Sequence, residues 1–84
     1  MKISSFAIVP NPANDKCEIH FVNMEHDFIL ELRSSVGQLI YNIKLPAKTS
    51  SIEIELTKFN AGFYLVSIND RVGIFDQKKL VIAK

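Results

Sequence analysis

Cysteine is nearly absent from this chain, and the single Cys17 excludes both an internal disulfide and a structural zinc centre built on cysteine pairs. Tryptophan is missing altogether, which leaves Phe63 and Phe75 as the plausible surface aromatics for a sugar-binding platform, and a poor one. Charge of one sign is also missing. Ten Lys and Arg face nine Asp and Glu for a formal net charge of +1, without the basic excess that marks a nucleic-acid-binding domain. No apolar run approaches the roughly 18 residues of a transmembrane helix. The four apolar residues Phe6, Ala7, Ile8 and Val9 before Pro10 fall short of the roughly 7 to 15 of a signal-peptide core. Neither a glycine-rich phosphate loop nor a nucleophile elbow can be written from these residues. In a chain of only 84 residues nearly every apolar side chain is needed for the core, and little remains to line a substrate cleft. The expectation is one small domain that is not an enzyme and holds no cofactor.

What is present is strand-forming material. Seventeen residues are Val or Ile, beside six Phe and two Tyr. Apolar residues alternate with polar ones at Cys17, Ile19 and Phe21; at Phe28, Leu30 and Leu32; and at Leu39, Tyr41, Ile43 and Leu45. The alternation continues at Ile52, Ile54 and Leu56, at Tyr64, Val66 and Ile68, and at Leu80 and Ile82. A period of two means half-buried strands. Turn chemistry falls between the runs, at Pro10 to Asp15, Ser34 to Gly37, Pro46 to Ser50, Asn60 to Gly62 and Asn69 to Arg71. Seven strands are predicted near 6–9, 16–23, 28–33, 38–44, 51–56, 62–69 and 72–82, the last interrupted at 75–77. Thr57 to Asn60 has room for one helical turn and no more. Short loops without crossover helices imply antiparallel pairing. Two stacked sheets are the economical way to bury so many branched side chains, so the fold class is an all-β sandwich. Residues 6–84 form the domain and residues 1–5 a junction to something else.

Each group of chemically active residues has an ordinary reading beside it. Cys17, His20, His26 and Asp27 suggest a metal site, but Cys17 and His20 are three apart on a strand and so point to opposite faces. A core cysteine and two surface histidines are expected instead. Glu53 and Glu55 share a strand face about 7 Å apart, a spacing a two-carboxylate glycosidase uses, but a flat solvated strand offers neither a cleft nor a raised pKa. Lys78, Lys79 and Lys84 interleave with Leu80, Val81 and Ile82. Lysines on an edge strand ordinarily block aggregation. The same strand suits docking, with backbone bonds supplying affinity and the lysines meeting an acidic partner.

Four segments in order resemble a known family. Val9-Pro10-Asn11-Pro12-Ala13-Asn14-Asp15 is similar to the Pro-Asn-Pro opening of the type IX secretion C-terminal sorting domain, the Por secretion tail. Leu32 to Ile40 resembles its second block, two apolar strands joined by a turn that ends in Gly37. Ala61-Gly62-Phe63-Tyr64 resembles its Ala-Gly-X-Tyr signature, and Lys78-Lys79-Leu80-Val81-Ile82 its basic and apolar ending. One departure is Ser34, where the family usually has Asp or Asn; serine still caps a turn, more weakly.

The resemblance implies an immunoglobulin-like sandwich that serves as an address label on an exported cargo. The expected partners are an upstream cargo domain in the same native chain, the type IX translocon with its outer-membrane shuttle protein, and a sortase-like cysteine protease that usually removes the label. The cargo is then expected in the periplasm in transit and afterwards at the cell surface or released. Pro10, Asn11, Pro12, Gly37, Gly62 and Tyr64 are the motif residues, and Tyr64 is expected in the core. Lys78, Lys79, Leu80, Val81, Ile82 and Lys84 are the expected docking residues. Two alternatives are an immunoglobulin-like structural or adhesive module without a sorting role and a small carbohydrate-binding accessory domain.

Overall fold

The computed structural model describes residues 4–72 and 75–84. Seven strands form two antiparallel sheets: β1 (Ser5–Val9), β2 (Lys16–Val22) and β5 (Ser51–Glu55) in one, and β4 (Leu39–Leu45), β3 (Phe28–Ser34), β6 (Gly62–Asn69) and β7 (Phe75–Ile82) in the other. The sheet orders are β1-β2-β5 and β4-β3-β6-β7. This is immunoglobulin-like: strands one, two and five oppose three, six and seven, and the fourth strand lies beside the third. The expected all-β sandwich is therefore the observed one. The expected helical turn reduces to a tight turn in which Phe59 N–H donates to the Leu56 carbonyl at 3.0 Å.

Alternation in the sequence becomes one shared core. Cys17, Ile19 and Phe21 from β2 meet Phe28, Leu30 and Leu32 from β3 and Tyr64, Val66 and Ile68 from β6, all buried. Phe21 and Phe28 sit edge to face with centroids 4.9 Å apart where the chain crosses between sheets, a geometry that aromatic quadrupoles favour. Asn69 and Asp70 carboxamide and carboxylate oxygens accept the N–H groups of Arg71 and Val72, at 2.7 and 2.9 Å, so the turn expected there forms by side-chain mimicry of backbone bonds.

Three boundaries differ from the sequence expectation. Leu39 is 40% exposed, not buried, because a bulge at Leu32/Arg33 pairs Arg33 with Leu39 and leaves Ile40 as the extra residue. The extra residue moves Leu39 to the outer face of the sheet. In β7 there is no break at Phe75 to Gln77: these residues pair in register with Asn69, Ile68 and Ser67 of β6. The polar Asp76 and Gln77 reflect an edge strand that meets water, not an interruption. The part of the expected strand at residues 73–74 lies outside the described residues. Ser5 opens β1, one residue before the expected start at 6, and Ser4 Oγ donates to the Asn23 carbonyl at 2.5 Å; residues 1–3 lie outside the described residues.

Candidate docking surface

The final strand presents two unlike faces. Leu80 and Ile82 point between the sheets and are each 1% exposed, so they form core and offer nothing to a partner of the folded domain. Phe75, Gln77, Lys79 and Val81 alternate with them and face outward; Val81 is half-buried there, beside Phe63, its register partner on β6. The Lys79 ammonium lies 4.6 Å from the centroid of the Phe63 ring, and the Lys78 ammonium 5.7 Å from that of the buried Phe6 at the sandwich rim. Both contacts are within cation–π range. Neither ammonium is held by a carboxylate: the ion pairs among the described residues are Lys16–Glu53, His20–Glu18 and Arg33–Glu31.

Lys84 is different, since its ammonium donates to three carbonyls of the β5–β6 turn: Leu56 at 2.9 Å, Thr57 at 3.2 Å and Phe59 at 2.6 Å. A cation satisfying three carbonyl dipoles is a structural clasp, and it ties residue 84 to a segment more than twenty residues away.

The opening motif acts on the same strand. Val9–Pro10 and Asn11–Pro12 are both cis, and the loop that contains them runs along the outer edge of β7. Asn11 Nδ2 donates to the Lys79 carbonyl at 2.8 Å, while Asn11 Oδ1 accepts the Val81 N–H at 2.9 Å. A primary amide carries its donor and its acceptor on separate atoms, as a peptide group does, so Asn11 substitutes for a neighbouring strand. Ala13 then completes the edge. Its N–H donates to the Val81 carbonyl and its carbonyl accepts the Ala83 N–H, both at 2.8 Å, in a parallel bridge with Ile82. Together these four bonds cover the outer edge from the Lys79 carbonyl to Ala83. Turn chemistry at Pro10-Asn11-Pro12 does not announce this role; the signal in the sequence is an amide side chain between two prolines.

The other motif positions have local causes. Ser34 and Gly37 close the β3–β4 turn, with Gly37 N–H on the Ser34 carbonyl at 2.9 Å and Gln38 N–H on Ser34 Oγ at 3.2 Å. Serine thus makes the cap expected of Asp or Asn. Gly37 sits at φ +91°, where a β-carbon is strained. Gly62, at φ +144°, swings the chain into β6 and lets Tyr64 turn inward. The Tyr64 hydroxyl donates back to the Asn60 carbonyl at 2.6 Å, the tyrosine-corner arrangement of immunoglobulin-like sandwiches, in which a residue early in the sixth strand ties down the preceding turn.

The remaining sequence candidates do not converge. Cys17 is buried and burial pushes its thiol pKa up, because the thiolate would be desolvated, whereas His20 faces solvent on the other side of β2 and lies 3.1 Å from Glu18. His26 is exposed, and Asp27 accepts the Ala47 N–H at 2.9 Å. No group of three His, Cys, Asp or Glu among the described residues could hold a metal ion. Glu53 and Glu55 are exposed on a flat strand, Glu53 directly opposite Glu18 and relieved by Lys16 at 3.7 Å. Phe63 and Phe75 are 44% and 65% exposed on the outer face of the four-stranded sheet, but Lys79 covers the Phe63 ring. No helix among the described residues is long and apolar enough to cross a membrane.

A family model described as a secretion system C-terminal sorting domain matches residues 7–83. The chain matches none of the curated proteins with which it was compared.

Proposed function

The chain belongs to the secretion system C-terminal sorting domain family, the C-terminal signal of type IX secretion, and from that premise we propose how this domain is read and discarded. As a type IX sorting signal it directs cargo export through the outer membrane to the cell surface or beyond, and it engages the type IX machinery. The finer steps are our reading. The cargo precedes the domain in the native chain and joins it through residues 1–4. The folded sandwich is recognised in the periplasm by the outer-membrane shuttle protein and the translocon, and a sortase-like cysteine protease then cuts at or before the junction. The domain is the label throughout and not a catalyst.

Docking runs through the exposed part of the final strand. The observation that carries this is the pair of lysines, Lys78 and Lys79, which stand on an edge strand without carboxylate partners. Val81 contributes a half-buried apolar surface beside them. Leu80 and Ile82 support the strand from the core side, and Lys84 fixes its end. Pro10, Asn11, Pro12, Gly37, Gly62 and Tyr64 maintain the shape in which that strand is presented.

The test is a reporter with its own export signal, fused ahead of residues 1–84 and expressed in a host that has the type IX system. The intact fusion should reach the cell surface or the medium. Lys78→Glu combined with Lys79→Glu should leave it in the periplasm. Export at the unmodified rate by the double variant would remove the lysines from the docking surface.

A further inference from the structure

Strand β7 is an edge strand whose outer side is divided in two. From the Lys79 carbonyl onward, Asn11 and Ala13 occupy the backbone positions that a neighbouring strand would take. Before that point they do not. Residues that pair outward on an edge alternate, so Phe75 and Gln77 share the orientation of Lys79 and Val81. The Gln77 N–H is taken by the Asp76 carboxylate at 2.9 Å. The Gln77 carbonyl and the Lys79 N–H face outward beyond the end of the Asn11 contact, a neighbouring acceptor and donor such as any added strand uses.

Around this open half-edge the side chains are of two kinds. Phe75 is 65% exposed and Phe63 44% exposed on the outer sheet face; the charged side chains are Lys78 and Lys79, neither of them in an ion pair among the described residues, and the single carboxylate of Asp76, which is turned to the Gln77 N–H. The geometry points to strand addition at Phe75–Lys79 by an extended segment of the export machinery that carries acidic side chains opposite the lysines and an apolar one against Phe75. Charge complementarity selects this occupant: a second copy of the chain would bring Lys78 and Lys79 toward an edge that carries the same two lysines. The loop at Asn11–Ala13 fixes where the added strand must stop, because a longer one would have to displace four hydrogen bonds. The proposal rests on the sorting role and narrows its docking surface from the whole final strand to its first half.

Site-specific photo-crosslinking in the exporting host tests it, using the same full-length reporter fusion with p-benzoylphenylalanine in place of Gln77, of Asn42 on β4, or of Ala83 beside the loop. The expected result is an adduct with a protein of the outer-membrane export machinery from position 77 and none from 42 or 83. Lys78→Glu with Lys79→Glu should lower the yield at 77 about ten-fold, as expected for charges that steer and hold a complementary strand. Export without an adduct at 77, an adduct of equal yield from 42, or an adduct with lipid would each overturn the proposal while leaving the sorting role intact. An intact fusion that is not exported would remove the sorting role itself, and the proposal with it.

Discussion

The two open sides of the sandwich are built differently. On one side β1 lies over β7, and the Pro-Asn-Pro loop closes the gap by bonding along β7, with Lys78 laid over Phe6 at the rim. On the other side β4 and β5 end their sheets, and among the described residues no strand pairs with the outer side of either. Between them runs a groove of about 480 Å³ lined by Ile40, Tyr41, Glu55, Thr57, Lys58 and Phe59. Chain order accounts for the difference. Residues 10–15 leave β1 next to β7 and can cover it, whereas the loops after β3 and β4 are spent on turning or crossing. One flank is therefore shielded by a few bonds from the loop at residues 10–15, and among the described residues no segment does the same for the second.

If the loop is what closes the first flank, removing its amide should produce the largest change. Asn11→Ala deletes one acceptor and one donor and should cost about 1–2 kcal/mol, roughly 5–10 °C in Tm for a domain of this size. Thermal unfolding measures the total, and amide hydrogen exchange locates it: protection should fall at Val81 and stay unchanged at Leu80, whose backbone is turned toward β6. Equal loss at both amides would mean that the loop stabilises the domain as a whole and does not act as a local cover.

On the second flank the corresponding fastening is at the end of the groove. Phe59 packs on Tyr64 with ring centroids 6.0 Å apart, and the Tyr64 hydroxyl holds the Asn60 carbonyl. Tyr64→Phe keeps the ring and deletes one hydrogen bond, so it should cost about 1 kcal/mol in chemical denaturation with an unchanged m value. A loss as large as that of Asn11→Ala would show that the open flank relies on this one corner as much as the closed flank relies on its loop.

Much of this contrast was legible in the sequence, though not all of it. Period-two patterning at Phe28, Leu30 and Leu32 or Tyr64, Val66 and Ile68 specified strand, face and core, because every second residue had to be buried. Tyr64 was expected in the core and is there. Three features were hidden for physical reasons. The bulge that exposes Leu39 depends on an extra residue opposite Arg33, which is a matter of pairing and not of hydropathy. The bonds from Asn11 to Lys79 and Val81 join residues some seventy positions apart, where turn chemistry has no reach. Lys84 read as one more basic residue of a docking strand, and its partners are carbonyls, which carry no sequence signature.

The smallest effect belongs to the open groove, and it separates an unfinished core from a surface. Ile40 is the bulged residue at the groove wall and is 38% exposed, so its side chain already meets water in the folded domain. Ile40→Lys should change stability by no more than about 0.5 kcal/mol, the range of surface substitutions, because little apolar area is returned to solvent and the lysine stem can follow the same wall. A loss above that would mean that the groove is part of the core and closes in solution. The two flanks would then differ only in what closes them, a hydrogen-bonded loop on one side and apolar contact on the other.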